Sequence, residues 1–127
     1  MKKIKSLILL ILIAFVLVGC SGKTEEKKTA MKSIDVLIYD TKEELVFEKN
    51  IEAKEDNLLK ILKNDKELNI LSETSQYGEF ITSIRNITHP NNYFWNYYIN
   101  DEYANVGVDS YTVKDKDKIE FRLEKFE

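Results

Sequence analysis

A chain of 127 residues, 43% of them hydrophobic and 11% aromatic, holds enough apolar material for one modest core and not for two. Its formal net charge of −3 understates the acidity of the folded part: three lysines fall among the first five residues, and from Ser33 to Glu127 twelve basic side chains stand against twenty acidic ones. Such a surface repels phosphates and argues against nucleic acid as a partner, while a single cysteine excludes an intrachain disulfide or a cysteine metal site.

In chain order, Lys2, Lys3 and Lys5 precede an uncharged apolar run, Leu7 to Val18. Twelve residues are too few for a span, which needs roughly twenty, so residues 1–19 read as an export signal rather than as part of the fold. The run ends in Leu17-Val18-Gly19-Cys20, which resembles the lipobox of bacterial lipoproteins. That resemblance implies cleavage before Cys20, a lipidated Cys20, and a protein held on the extracytoplasmic face of a cell membrane. Two acyl chains on one thiol would anchor it firmly, each buried methylene contributing about 0.8 kcal/mol. Residues 20–32 continue with Gly, Ser, Thr, Lys and Glu, a composition that buries nothing and reads as a polar tether.

Residues 33–127 form the expected domain. Ile34 to Tyr39 and Leu45 to Glu48 alternate about a polar Asp40 to Glu44, as a hairpin does. A short helix follows, capped by Asp56 or Asn57, with Leu58, Leu59, Ile61 and Leu62 on one stripe and Asn64-Asp65 at its end. Leu68 to Thr74, Glu79 to Ile84, Tyr93 to Ile99 and Lys118 to Phe126 are predicted strands. In the last, Ile119, Phe121 and Leu123 share one face while Glu120, Arg122 and Glu124 share the other, the pattern of a sheet wet on one side. The class is α+β, and two strands, a helix and further strands is the order of a β-grasp, although other α+β arrangements share it.

The second half carries a resemblance. Tyr77-Gly78-Glu79-Phe80-Ile81-Thr82-Ser83-Ile84, Trp95-Asn96-Tyr97-Tyr98-Ile99-Asn100, Glu102-Tyr103-Ala104-Asn105-Val106-Gly107-Val108-Asp109, and the stretch from Tyr111 through Asp117-Lys118-Ile119-Glu120-Phe121 are similar to the transcobalamin-like C-terminal domain family. The resemblance covers residues 34 to 126. It implies a β-grasp-like module of unknown function, related to the domain that closes over a corrinoid in transcobalamin and intrinsic factor. The helical partner domain of those carriers has no counterpart in these residues. Two turns depart from the family: Asn100-Asp101 replaces Asn-Gly, and Lys116-Asp117 replaces Gly-Asp. Asn and Asp tolerate positive φ, so the first still closes a hairpin. A lysine would be strained there, so the second is expected to be a turn of another type.

The aromatic strand carries the candidate site. Period two puts Tyr93, Trp95, Tyr97 and Ile99 on one face and Phe94, Asn96, Tyr98 and Asn100 on the other, and one short helix cannot cover both. The mixed second face offers rings for stacking and amides for orientation, with Trp95 supplying the same contact if the faces are reversed. Cross-strand packing alone is the competing explanation. Tyr103, Asn105 and Tyr111, on the returning chain, would enlarge either a patch or a core. The ligand-binding candidates are thus Phe94, Trp95, Asn96, Tyr98, Asn100 and Tyr103. His89, before Pro90, reads as an exposed loop residue, and Asp115, Asp117 and Glu120 as a solvated face. Without a phosphate loop, a nucleophile set or a metal-ligand cluster, no enzyme is expected and no cofactor is required. Two functions follow as expectations. One is a small-molecule binding module for a corrinoid or another planar, partly polar ligand, delivering to a transporter. The other is a protein-interaction or adhesion module of the cell envelope.

Overall fold

A computed structural model describes residues 30–126; the expected signal peptide, Cys20 and most of the expected tether lie outside them. The described residues form one α+β domain with a single hydrophobic core. Its elements are β1 (Lys32–Tyr39), β2 (Leu45–Ala53), α1 (Leu58–Asn64), β3 (Leu71–Ser75), β4 (Gly78–Ile84), β5 (Ile87–Thr88), β6 (Tyr93–Ile99), β7 (Glu102–Tyr103) and β8 (Lys118–Lys125). Five strands make the larger sheet in the order β2-β1-β8-β6-β7, and β3-β4-β5 make a smaller one. β1 and β8 lie parallel at the centre, while the flanking pairs are antiparallel.

The alternation read from sequence decides which face is dry. Ile34, Val36 and Ile38 of β1, Ile119, Phe121 and Leu123 of β8, and Trp95 and Tyr97 of β6 are all buried. Their cover comes from Leu58, Leu59, Ile61 and Leu62 of α1 and from Ile81 and Ile84 of β4, all in the same apolar cluster. A helix of seven residues has little stability of its own, so α1 persists through this burial and its ends. Asn57 is the cap: its side chain accepts from Lys60 N–H at 3.1 Å, and its amide donates to the Asp109 carbonyl at 2.7 Å.

Several expectations are corrected. β2 continues past Glu48 to Ala53 because it pairs with β1 along that whole length, burying Ile51. β3 begins at Leu71 rather than Leu68, since Asn69 has φ +45° and Leu68 is folded into the core through a turn to the Asp65 carbonyl. The two-residue strands β5 and β7 carry no sequence periodicity and were not expected. Asn100 and Asp101 both take positive φ, +51° and +71°, as a tight two-residue hairpin turn requires. Lys116 also takes φ +69°, contrary to the expectation that this turn would avoid the left-handed region. Its N–H donates to the Ser33 carbonyl at 2.7 Å, and Asp117 ties the turn from inside.

The acidic residues read as a solvated face are corrected too. Asp117 is 4% exposed and accepts from the Tyr111 hydroxyl at 2.6 Å, Lys114 N–H at 2.8 Å and the Asn100 amide at 2.9 Å. Glu120 is also buried, held between Lys118 at 3.1 Å and Arg122 at 2.7 Å. Asp115 remains at the surface but accepts Ser33 N–H. Each buried carboxylate is therefore paired or hydrogen-bonded, as burial demands.

Candidate functional site

β6 is paired with β8 from Tyr93 to Ile99, but on its other side β7 reaches only Tyr98 and Ile99. The chain after β7 makes one more contact, Ala104 N–H to the Tyr97 carbonyl, and then leaves the strand. Along this open edge, between the larger sheet and β4, lies a cleft of about 380 Å³. Phe80 and Ile81 of β4, Trp95 and Tyr97 of β6, Tyr103 of β7 and the returning segment from Ala104 to Val108 are among the residues that wall it. Phe80, Tyr103 and Val106 are 43%, 59% and 45% exposed, so the rim presents apolar surface to solvent. A smaller apolar hollow continues past Trp95 toward Tyr93, His89 and Phe126.

Tight backbone packing holds the wall. The Tyr97 hydroxyl donates to the Val106 carbonyl, Leu59 N–H donates to the Val108 carbonyl, and Asp109 accepts Glu79 N–H at 3.0 Å. Gly78 and Gly107 make room for that carboxylate: a methyl group at either would lie within 3.0 Å of an Asp109 oxygen. Burial, with the charge of Asp109, pushes the Tyr97 phenol up to about 12, so it stays a donor. Glu79 is held below the usual carboxylate range by hydrogen bonds from Lys63 and Ser72.

The structure divides the candidate residues. Trp95 faces the cleft, its indole N–H fixed on the Ile87 carbonyl at 3.2 Å, while Tyr103 borders the cleft from β7 with its ring on the Tyr98 side of the sheet. Phe94 and Asn96 border it, but the Phe94 ring packs on Phe126 at 4.6 Å, and the Asn96 amide is spent on Glu124 and Tyr97 N–H. Tyr98 and Asn100 stand apart. The Tyr98 hydroxyl bonds to Glu124, which pushes its phenol up to about 12, and its ring meets Tyr103 edge-on. Asn100 closes the β6–β7 turn, donating to Asp117 and accepting Lys118 N–H. The face of Phe94, Asn96, Tyr98 and Asn100 is therefore not the concave one. It is knitted shut by its own polar pairs, and the cleft opens on the Trp95 and Tyr97 face, where α1 and β4 leave the edge of β6 uncovered. Tyr111 bonds to Asp117 beside the core instead of entering the cleft, whereas Asn105 lies in its wall. His89 is half-buried in the adjoining hollow rather than exposed.

Phe80 and Val106 to Val108 were not expected at the site, and no local signal marks them: Phe80 adjoins Ile81 in a strand pattern, and their exposure is set by the packing of β4 and the returning chain. Among the described residues no helix is long and apolar enough to cross a membrane, and no group of three His, Cys, Asp or Glu residues is placed to hold a metal ion.

Comparison with known proteins places this geometry. A family described as a domain of unknown function (DUF4430) matches residues 55–125, more than half of the chain. No curated protein matches it in sequence. Among solved structures, a protein from Ruminococcus gnavus ATCC 29149, provisionally named as metal binding, superposes with a TM-score of 0.69 at 21% identity, over 76% of this chain and 99% of its own. Haptocorrin in complex with Cbi superposes with a TM-score of 0.66 at 20% identity, over 78% of this chain but only 26% of its own. At these identities the likeness is one of fold, and this chain spans about a quarter of haptocorrin. The chain belongs to the domain-of-unknown-function family DUF4430, a transcobalamin-like domain in its fold.

Proposed function

We propose that this protein is a non-catalytic small-molecule binding module, tethered outside the cell membrane, whose cleft takes one side of a planar, partly polar ligand such as a corrinoid. The observation that carries this reading is the aromatic cleft at the open edge of β6, with Trp95, Tyr97, Phe80 and Tyr103 around it. Pockets that enclose a ligand run from roughly 300 to 1,000 Å³; a cleft of about 380 Å³ that is open on one side covers only part of a large macrocycle. The likeness to a domain of haptocorrin, in complex with Cbi, supports the same ligand class. The strand order β2-β1-β8-β6-β7, with β1 parallel to β8, supports a β-grasp assignment for residues 33–127.

Residues 1–19 as signal peptide, Cys20 as the lipidated residue and residues 20–32 as tether complete the reading, and place the domain where it can hand a ligand to a transporter. Mass spectrometry of the native protein tests that part: a lipid-modified N-terminus at Cys20 is expected, and an unprocessed chain starting at Met1 contradicts it. Calorimetric titration with cobinamide and cobalamin tests the binding. Saturable heat is expected, weakened about threefold to tenfold by Tyr103→Ala, which removes an exposed stacking ring without opening the core. Absence of heat at millimolar ligand contradicts the corrinoid reading. A second reading rests on a different surface: Leu71 and Tyr77, 55% and 89% exposed, lie on the β3–β4 hairpin at the unpaired edge of the small sheet and favour contact with an envelope protein.

A further inference from the structure

A second hollow, of about 330 Å³, lies at the end of the larger sheet where β1 begins. The β6–β7 turn, the returning chain and the turn before β8 enclose it, with Ile99, Glu102, Asn105, Tyr111, Lys114 and Asp117 among its lining. Its chemistry differs from that of the aromatic cleft. Here the side chains are mostly polar, and their hydrogen bonds leave a particular set of groups over.

Asp117 is buried, and both of its oxygens are taken. The Asn100 amide bonds to one, the Tyr111 hydroxyl and Lys114 N–H to the other. Asp117 therefore contributes fixed negative charge while its hydrogen-bonding capacity is spent. The Tyr111 hydroxyl gives its one hydrogen to Asp117, and burial together with that bond pushes the phenol up, so its oxygen is left only to accept. Glu102 is exposed, and its carboxylate has no ion-pair or hydrogen-bond partner among the described residues. Lys114 supplies the one cation in the lining. Its main chain is fixed on Asp117, yet its ammonium has no anion within ion-pair distance among the described residues. The Asn105 amide, a donor and an acceptor, is also exposed and unspent.

A carboxylate and an ammonium that line one hollow without pairing match a ligand carrying both charges. A simple anion would reach Lys114 but face Glu102 and Asp117. A simple cation would satisfy Glu102 and the Tyr111 oxygen and leave Lys114 unanswered. The volume sits at the low end of the range for ligand pockets, roughly 300 to 1,000 Å³, which suits a molecule of amino-acid size.

We propose that this hollow is a second binding site, for a small α-amino acid in its zwitterionic form. Glu102 and the Tyr111 oxygen take the ammonium, Lys114 takes the carboxylate, and Asn105 orients the pair. Three probes of one size separate the charges: L-alanine, L-alaninamide, which lacks the carboxylate, and propionate, which lacks the ammonium. Each is titrated at pH 7 into the full chain in detergent micelles, followed by amide chemical shifts. Alanine is expected to give saturable shifts at Glu102, Asn105, Tyr111 and Lys114. Alaninamide is expected to bind about threefold to fivefold more weakly, the scale of one solvent-exposed charge contact, and propionate more weakly again. Lys114→Gln is expected to weaken alanine by the same factor and leave alaninamide unchanged, whereas Glu102→Gln weakens both. Both substituted side chains are exposed and unpaired, so both variants are expected to fold. No saturable shift with alanine, equal binding of alaninamide, tighter binding of propionate, or alanine binding untouched by either substitution overturns the assignment.

Discussion

Replacing Asp117 by alanine is expected to cost about 3 kcal/mol of folding stability, far more than its place in a polar turn suggests. Its carboxylate gathers Tyr111, Lys114 and Asn100 around one buried point, and removing it strands three donors in a site that water scarcely reaches. Burial alone would raise the Asp117 pKa, but the hydrogen bonds from Tyr111, the Lys114 main chain and Asn100, aided by the Lys114 charge, hold it below the ordinary carboxylate value. A group whose pKa is depressed in the folded state contributes stability that is fully present above its unfolded pKa, about 3.9 for aspartate, and is lost as pH falls through the folded pKa. Urea unfolding at pH 7 and at pH 3 checks both parts: the loss in Asp117→Ala is expected to be largest at neutral pH and to shrink in acid. A variant as stable as the parent at pH 7 would contradict the role given to this residue. Because Asn100 belongs to the same cluster and closes the turn into β7, loosening it also frees Tyr103 at the cleft rim.

Gly78→Ala carries the second large effect and connects stability to the site. Gly78 has φ +113°, a conformation that side-chain-bearing residues rarely adopt, and a methyl group there would lie 2.9 Å from Asp109 Oδ2. Strain of roughly 1–3 kcal/mol is compounded by displacement of Asp109 from Glu79 N–H, a charge-assisted bond. A loss of about 2–4 kcal/mol is expected, lowering the melting temperature by some 10 °C or more for a domain of this size. Since Asp109 pins the segment from Ala104 to Val108, ligand affinity is expected to fall at temperatures where the variant is still folded. Unchanged melting and unchanged binding together would show that the Gly78–Asp109 contact does not hold the cleft wall.

How much of this was legible in the sequence varies with the range of the interactions. β1, β6 and β8 follow from period-two alternation of Ile34, Val36 and Ile38, of Trp95 and Tyr97, and of Ile119, Phe121 and Leu123; α1 follows from the stripe of Leu58, Leu59, Ile61 and Leu62. These are local patterns whose burial is shared by the whole element. Asn69 and Lys116 at positive φ were not legible, because neither residue type demands that conformation and long-range contacts impose it. The burial of Asp117 and Glu120 depends on donors brought from the β6–β7 turn, the 111–114 segment and β8 itself. The aromatic strand was recognised as the centre of the site, but its concave face could not be chosen from β6 alone. That choice depends on where β4 and α1 lie and on where the chain after β7 departs, at Asn105 and Val106.

The most direct test of the cleft is residue-resolved: amide chemical shifts of the full chain in detergent micelles, followed during titration with cobinamide. Saturable shifts are expected to concentrate at Glu79 to Ile81, at Trp95, including its indole N–H, and at Asn105 to Val108, with Arg122 and Glu124 on the opposite face undisturbed. Shifts confined to that opposite face, around Tyr98 and Arg122, or none at millimolar ligand, would contradict a binding site at the open edge of β6.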